Sequence, residues 1–215
     1  LIPPPWIYHS RQSESFEYAM LWNNYIVDEI YISSVIPLLG NQNDIIKNVC
    51  RLKHRSPRYF EKIIGKFSIT TEWDNNFDKF YPILLKNKMR HHSKPTHSLQ
   101  ELKNLNQLLP DKLHLLIMYS NEKPIGGTLN FTANKKVAII FYNMVDHDYI
   151  QSQPATLQIM ETIKWAKERG LSYLDFGVSQ DPTAENPLSP SLSLIRFKEE
   201  FGSLGMIRKA FRKVF

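Results

Sequence analysis

The 215-residue sequence contains one cysteine, eight glycines and no long uninterrupted run of apolar residues. The single thiol, Cys50, cannot close an internal disulfide or supply a cysteine-based zinc site, which excludes disulfide scaffolds and zinc fingers. No apolar run approaches the roughly 18 residues that a membrane-spanning helix needs, so no such span is predicted. Because a lone cysteine is typical of a reducing compartment, we expect a cytoplasmic protein.

Several catalytic motifs are also missing. The sequence has no Walker phosphate loop, no Gly-x-Ser-x-Gly nucleophile elbow and no cysteine in the setting of a nucleophile. His91 and His92 are adjacent and therefore project in different directions, and no Asp, Glu or Cys cluster accompanies them at a metal-ligand spacing. These absences argue against an NTPase, a serine hydrolase, a cysteine protease and a metal site.

What the sequence does contain is the composition of a globular protein with a moderate excess of positive charge. Hydrophobic residues make up 42% and charged residues 22%, and 27 Lys and Arg against 21 Asp and Glu give a net charge of +6. The excess suits an anionic ligand such as a nucleotide cofactor or tRNA, and no DNA partner is expected. Basic residues are densest between Arg51 and Lys66, a pattern that also fits a solvated helix face. The hypothesis of a nucleic-acid-binding protein without enzymatic activity rests on this charge alone.

The start of the chain predicts a β-hairpin. Residues 16–22 and 25–36 have the composition of two strands, and Asn23 and Asn24 between them tolerate the positive φ of a tight turn.

The next segment predicts helices with one strand between them. Residues 41–66 are helical in composition but are interrupted by Pro57, and residues 67–73 fit a strand. A helix with one buried face follows, and either Asp74 or Asn75 is expected to cap it.

The middle of the chain predicts a helix followed by a meander. Ser98 and Glu101 have the spacing of a capping box, in which each side chain satisfies an exposed backbone N–H at a helix start. Three apolar runs separated by turn-like segments then predict antiparallel strands at 113–119, 125–131 and 137–145.

The sequence from Pro154 onward predicts a helix, a strand, a short helix and a final strand. Pro154 fits a helix start and Gly170 its end, directly before an apolar strand at 171–176. A short helix at 194–201 and a basic strand at 206–215 complete the order. The whole order predicts an α+β fold, with a mixed, mostly antiparallel sheet flanked by helices.

Particular strings in this order resemble a known family. They are Glu122-Lys123-Pro124-Ile125-Gly126-Gly127, Lys164-Trp165-Ala166-Lys167-Glu168-Arg169-Gly170, Tyr173-Leu174-Asp175-Phe176-Gly177 and Arg196-Phe197-Lys198-Glu199-Glu200-Phe201-Gly202. Together with the order of elements, they resemble the GNAT acyltransferase fold, and within it the FemAB-like branch. Residues 7–9 and 94–102 resemble segments of bacterial proteins of the same branch.

The resemblance also implies a division of the chain. Residues 1–47 resemble the end of a first GNAT-like lobe, and residues 48–215 resemble a complete second lobe. We therefore expect the sequence, which starts at Leu1, to be the C-terminal part of a longer protein.

For function, the resemblance implies transfer of an acyl or aminoacyl group to an amine or hydroxyl. The donor would be acetyl-CoA, another acyl-CoA or an aminoacyl-tRNA, none of them tightly bound, and the acceptor a small molecule or a cell-envelope or saccharide precursor. In FemAB-like enzymes a Phe-Lys-x-x-Phe-Gly segment lies near donor and acceptor, and Phe197 and Lys198 match its first two positions.

The segment where GNAT enzymes bind the pyrophosphate of coenzyme A is unusual here. Backbone groups of Gln151, Ser152, Gln153 and Ala155 are the candidates for this contact, but the segment has no glycine and Pro154 lacks an N–H. The departure keeps a second hypothesis open, namely a GNAT fold that serves as a binding or scaffolding protein without catalysis.

Candidate catalytic residues exist for each step of acyl transfer. His97 could act as the base, because an imidazole suits proton transfer near neutral pH, with Arg90 and Lys94 nearby to bind substrate, although it also fits a structural histidine beside a helix. Tyr142 could act as an acid, although an aromatic residue in a strand is usually a packing residue.

A second set of candidates surrounds the end of the strand at 171–176. Asp175 is a catalytic candidate, and Gly177 and Ser179 are substrate-binding candidates, because polar groups at strand ends often form sites. Lys198 could stabilise an oxyanion or hold a phosphate, or it could be an exposed helix lysine. As a catalytic group, it predicts that Lys198→Ala abolishes transfer and leaves the melting temperature nearly unchanged.

Overall fold

A computed structural model describes residues 1–90, 92–181, 184–186 and 188–214. Its helices and strands follow the chain in the order α1 Ser15–Trp22, β1 Ile26–Pro37, α2 Gln42–Leu52, α3 Pro57–Lys66, β2 Ile69–Trp73, α4 Phe77–Arg90, α5 Leu99–Leu108, β3 Leu113–Ser120, β4 Lys123–Thr132, β5 Val137–Val145, α6 Pro154–Glu168, β6 Tyr173–Val178, α7 Leu192–Glu199 and β7 Leu204–Arg212. Short 3-10 helices precede α1, at Trp6–Tyr8, and α6, at His147–Ser152.

The strands form one mixed sheet in the order β2-β3-β4-β5-β6-β1-β7. Strands β5 and β6 are parallel, and the other neighbouring strands are antiparallel. Because parallel neighbours need a crossover, helix α6 connects β5 to β6 across one face of the sheet. The predicted meander and the predicted mixed, mostly antiparallel sheet are confirmed.

Helices cover both faces of the sheet. Helices α2, α3 and α6 pack on one face, where Ile159, Ile163 and Ala166 of α6 are fully buried. Helices α4 and α5 pack on the other face through Phe80 and Leu102. A smaller cluster around Ile7, Val35 and Val137 extends the buried region beneath the 3-10 helix Trp6–Tyr8. No helix in the described part of the chain combines the length and the apolar character needed to cross a bilayer.

The predicted hairpin at the start of the chain is wrong. Residues 15–22 form α1, while β1 pairs with β6 and β7 from the far end of the chain. The local segment that would have paired with β1 contains Glu17, Ala19 and Met20, which favour a helix. The long-range pairing therefore replaces the hairpin, although Asn24 does adopt the expected positive φ of 62°.

Most helix boundaries agree with the sequence, with one correction. The capping box at Ser98 and Glu101 is present, and Pro57 divides residues 41–66 into two helices as predicted. The first turn of α4 is capped by Asn76, whose Oδ1 accepts from the N–H of Lys79 at 3.2 Å, and not by either predicted residue.

The predicted lobe boundary after residue 47 stays a prediction. Strand β1, from the first segment, lies between β6 and β7 of the second, so the same sheet contains residues from both. The predicted last strand ends at Arg212, and its predicted end, Phe215, lies outside the described residues, as does His91.

Candidate functional site

The sheet opens between its two parallel strands. Strands β5 and β6 pair only through three residue pairs, the last of which is Ile139 with Asp175, although β5 continues to Val145 and β6 to Val178. A bulge in β5 accompanies the divergence, because Tyr142 pairs with Leu129 and Ile140 with the next residue of β4. Beyond Ile139 the two strands are separated by a gap, and backbone N–H and C=O groups of β5 and β6 line its two edges.

Helix α6 begins at the edge of the sheet where β5 and β6 end. Gln153 has a φ of 54° and directly precedes Pro154, the first residue of α6. The carbonyl of Gln153 accepts from the N–H groups of Thr156 and Leu157, each at 3.1 Å, so these N–H groups bond within the chain.

The donor-binding candidates differ in accessibility. Ser152 is fully buried and its Oγ donates to the carbonyl of Tyr149 at 2.8 Å, while Gln151 is exposed and Gln153 is half-buried. The carbonyl of Ala155 accepts from Nδ2 of Asn143 of β5 at 3.5 Å. Their binding of a donor stays a prediction.

Lys198 of α7 is buried at the end of β6. Its side chain is only 5% exposed, and Nζ donates to the carbonyls of Phe176, Gly177 and Val178 at 3.3, 3.2 and 3.1 Å. Nζ also donates to Oγ of Ser179 at 2.7 Å. Burial lowers the pKa of Lys198 to about 8, although the negative charge of Asp175 acts in the opposite direction.

Asp175 lies beside this lysine and is 1% exposed. Its Oδ2 accepts from the hydroxyl of Tyr8 at 2.6 Å, and its Oδ1 accepts from the N–H of Gly177 at 2.7 Å. Gly177 has a φ of +69°, which favours glycine and lets the chain turn at this point. Burial, followed by the charge and hydrogen bond of Asp175, raises the pKa of Tyr8. The structure therefore brings the predicted residues Asp175, Gly177, Ser179 and Lys198 together.

Aromatic residues and a second lysine flank this cluster. The rings of Phe197 and Phe201 are 5.2 Å apart, and Nζ of Lys53 lies 4.2 Å from the centroid of Phe201. The same Nζ forms a salt bridge of 2.7 Å with Glu200. In the sequence, Lys53 is one of several basic residues between Arg51 and Lys66, and no motif gives Tyr8 a role. Only tertiary contacts identify these two residues.

The remaining candidates form a separate group on the face covered by α4. The hydroxyl of Tyr142, 4% exposed, accepts from the backbone N–H of Thr96 at 3.1 Å and so fixes the loop before α5. The ring of His97 in that loop lies 5.5 Å from the ring of Phe141, and its Nδ1 is buried without a hydrogen-bond partner among the described residues. Arg90, the last residue of α4, and Lys94 are exposed.

The two groups flank the gap from different strands. Phe141 and Tyr142 stand on β5 just beyond its last pair with β6, and Asp175 stands on β6 at that pair. Within the described residues, no group of three or more His, Cys, Asp or Glu side chains could hold a metal ion.

Comparison with solved structures identifies the fold. FemX is 11% identical with a TM-score of 0.67, and the match covers 94% of this chain and 69% of FemX. The C-terminal domain of a putative lysylphosphatidylglycerol synthetase from Agrobacterium fabrum is 10% identical with a TM-score of 0.59, covering 92% of this chain and 64% of that one. The L-PGS from Bacillus licheniformis is 10% identical with a TM-score of 0.58, covering 92% of this chain and 63% of that one. The present chain thus spans about two thirds of the length of these proteins.

The family assignment comes from the sequence. No curated protein matches it significantly. A family model described as Acetyltransferase (GNAT) domain matches residues 51–185, which is more than half of the chain. The matched segment contains the meander, the gap and the start of α6. The fold and this match lead to one conclusion: the chain belongs to the GNAT acetyltransferase domain family.

Proposed function

We propose that this protein transfers an acyl or aminoacyl group to an amine of a cell-envelope or saccharide precursor. The observation that carries the proposal is the gap between β5 and β6, with α6 starting at its edge and the candidate residues on both sides. Family membership supports acyl transfer in general, and the similarity of the fold to FemX suggests the branch.

The gap offers a place for the acyl donor. Where β5 loses β6 as its partner, its backbone N–H and C=O groups face an open strip, and amide groups of a donor chain can bond to such a strip. A backbone N–H there can also donate to the oxyanion that develops on the acyl carbonyl.

The start of α6 bears on which donor is used. Pro154 has no N–H, and the N–H groups of Thr156 and Leu157 already bond to Gln153. A pyrophosphate needs such groups free at a helix start. Among the first four residues of α6, as the structure describes them, this leaves the N–H of Ala155 without an acceptor, and a single N–H favours an ester donor such as an aminoacyl-tRNA over acetyl-CoA held in the usual GNAT manner. The exposed cations between Arg51 and Lys66 are available for a polyanionic donor.

In the proposed reaction, the amine nitrogen attacks the acyl carbonyl and a C–N bond forms. His97 accepts the proton that the amine loses, the C–O or C–S bond to the donor breaks, and the leaving group takes up that proton from His97. The orphaned Nδ1 of His97 is buried, which leaves Nε2 as the nitrogen that serves substrate. Tyr142 positions the histidine loop through Thr96.

Lys198 and Asp175 act on the other side of the gap as positioning residues. Four acceptors surround the Lys198 ammonium, so it holds the segment from Phe176 to Ser179 in place. The exposed side chains of Arg90 and Lys94 suit an acceptor that carries phosphate or carboxylate.

The test is calorimetric titration with acetyl-CoA and with a non-hydrolysable aminoacyl-tRNA mimic. We expect saturable binding of the mimic, and we expect that salt weakens it because phosphate contacts dominate such binding. Binding of acetyl-CoA alone would identify a thioester donor and overturn the donor class. The control is an uncharged tRNA, which should bind more weakly because it lacks the acyl ester.

The same start of α6 also supports a second candidate function, namely binding without catalysis. A glycine-free turn with internally bonded N–H groups also fits a GNAT fold that binds a partner without catalysis. Failure to bind either donor would favour this scaffold function over the transferase.

A further inference from the structure

A second hollow lies at the end of α6 that is remote from the gap. It has a volume of about 420 Å³ and opens between the end of β2, the start of β3 and the end of α6. Trp73, Asp74, His114, Trp165 and Arg169 line it, together with residues of the loop that precedes β3. The proposed acyl transfer uses none of these residues.

Two tryptophans give the hollow a flat, rigid wall. The rings of Trp73 and Trp165 stack with centroids 4.9 Å apart and an angle of 20° between their planes. Trp165 is 6% exposed and is held by the α6 core, whereas Trp73 on the edge strand is 39% exposed. The buried ring fixes the exposed one, so Trp73 presents an ordered apolar surface to solvent.

Polar groups of opposite charge surround this wall. The guanidinium of Arg169 lies 5.2 Å from the ring of Trp165, and the Asp74 carboxylate lies on the β2 side of the hollow. Neither side chain forms a hydrogen bond to another side chain or to the backbone within the described residues. The ring of His114 is 5.0 Å from that of Trp165, and burial, followed by the charge of Arg169, lowers its pKa. Both effects favour the neutral imidazole, in which one ring nitrogen carries a lone pair.

This combination suits a ring that has an apolar face and polar edges. A pyranose places its C–H face on an aromatic ring, while its hydroxyls both accept from a guanidinium and donate to a carboxylate.

An adjoining hollow gives room for more than one ring. It has a volume of about 380 Å³ and shares His114 and Arg169 with the first hollow. Its other wall includes Lys112, Asn134 and Lys135, which are polar. Because the two hollows share two lining residues, together they give room for a disaccharide as well as for a single ring.

We propose that the hollow beside Trp73 binds a saccharide, with one pyranose ring packed on Trp73 and its hydroxyls bonded to Asp74 and Arg169. The proposal does not rest on acyl transfer, since the hollow lies at the other end of α6 from the gap.

The test is a ligand-observed NMR titration with three probes, namely cellobiose, the disaccharide of N-acetylglucosamine, and AMP. We expect at least one disaccharide to bind in the range of about 1 mM, and we expect Trp73→Ala to weaken it about tenfold, the loss of one aromatic contact. Arg169→Gln keeps the size of the side chain and should weaken binding by a similar factor. Trp22→Ala is the matched control, because Trp22 is 74% exposed on α1 and outside the hollow.

Each result of this titration either supports or overturns the saccharide site. Disaccharide binding that Trp73→Ala and Arg169→Gln both reduce, with Trp22→Ala unchanged, supports the site. No disaccharide binding up to about 20 mM, or binding that either variant leaves intact, overturns it. AMP binding through Trp73 without saccharide binding also overturns it and identifies a nucleotide site. Because Arg169 is exposed, its variant stays folded even if loss of the Trp73 stack lowers stability.

Discussion

The hydroxyl of Tyr8 donates to Oδ2 of Asp175 at 2.6 Å, across a separation of 167 residues. A residue near the beginning of the chain thus completes the cluster at the end of β6. The contact connects the N-terminal segment to β6, the strand that forms one edge of the gap. Asp175 also accepts from the N–H of Gly177, whose carbonyl accepts from Lys198, so the same network includes the backbone that Lys198 contacts.

Tyr8→Phe tests this link. The variant removes one donor from a buried carboxylate and should lower the free energy of unfolding by about 1–3 kcal/mol. Urea denaturation measures the change, and Tyr18→Phe, at a position 65% exposed on α1, is the control that should shift the midpoint little. An unchanged midpoint in Tyr8→Phe would mean that the hydrogen bond contributes nothing net.

The lowered pKa of Lys198 makes the free energy of unfolding depend on pH. Its pKa is lowered to about 8 in the folded protein from a usual value of about 10.4 when unfolded, so between these values the unfolded chain binds more protons. Stability from this group therefore rises as pH increases through that window. Lys198→Met should lose the rise, which urea denaturation at pH 7 and pH 9 measures. If the free energy of unfolding changed equally between pH 7 and pH 9 in the two proteins, the effect of burial on the pKa of Lys198 would be contradicted.

The burial of Lys198 also revises an expectation from the sequence. As an exposed catalytic lysine, it predicts that Lys198→Ala leaves the melting temperature unchanged. Lys198 is 5% exposed, and its loss removes the donor to three backbone carbonyls and to the hydroxyl of Ser179, which is 1% exposed. The structure leads us to expect that Lys198→Ala lowers stability by about 1–3 kcal/mol, besides reducing transfer.

His97→Ala tests the proposed base. Transfer should fall by about 10²–10⁴-fold, the usual contribution of a general base, while stability changes little because Nδ1 has no partner to lose. The readout is the rate of transfer from whichever donor binds, with His92→Ala as the control at an exposed position. Full activity in His97→Ala would assign the histidine a structural role.

Gly127→Ala tests how closely α4 approaches the sheet. A Cβ at Gly127 would lie 2.6 Å from Cδ2 of Phe80 and 3.0 Å from the carbonyl oxygen of Leu116, so the core must shift at a cost of about 1–3 kcal/mol. At Gly65, within α3, a Cβ meets nothing within 4 Å, and Gly65→Ala should instead add about 0.5–1 kcal/mol. Thermal unfolding distinguishes the two variants by opposite shifts, and shifts of equal sign would contradict the packing.

The predictable features of the fold depend on neighbours in sequence. Asn23 and Asn24 indicated a turn, Ser98 and Glu101 a capped helix start, and Pro154 the first turn of α6, and the structure has a turn, a capping box and a helix at these places. The hairpin failed because the partner of β1 lies at the far end of the chain, and no local pattern encodes a partner that distant.

In the candidate site, too, some features can be predicted from local sequence and others depend on distant segments. The residue types around β6 are enough to mark Asp175, Gly177, Ser179 and Lys198 as candidates, since they stand at a strand end or in a recognisable segment. Local sequence does not show that Lys198 is buried, that Tyr8 reaches Asp175 or that Trp73 stacks on Trp165, because each of these facts depends on distant segments.

By itself, the sequence determined the α+β order, the mixed sheet and membership of the GNAT family, because apolar periodicity, caps, turn residues and short motifs act over a few positions along the chain. The tertiary structure decided which candidates meet, which are buried and where the sheet opens. Those outcomes depend on pairing and packing between segments that are far apart in sequence, and on the loss of water around a charged group once those segments close over it.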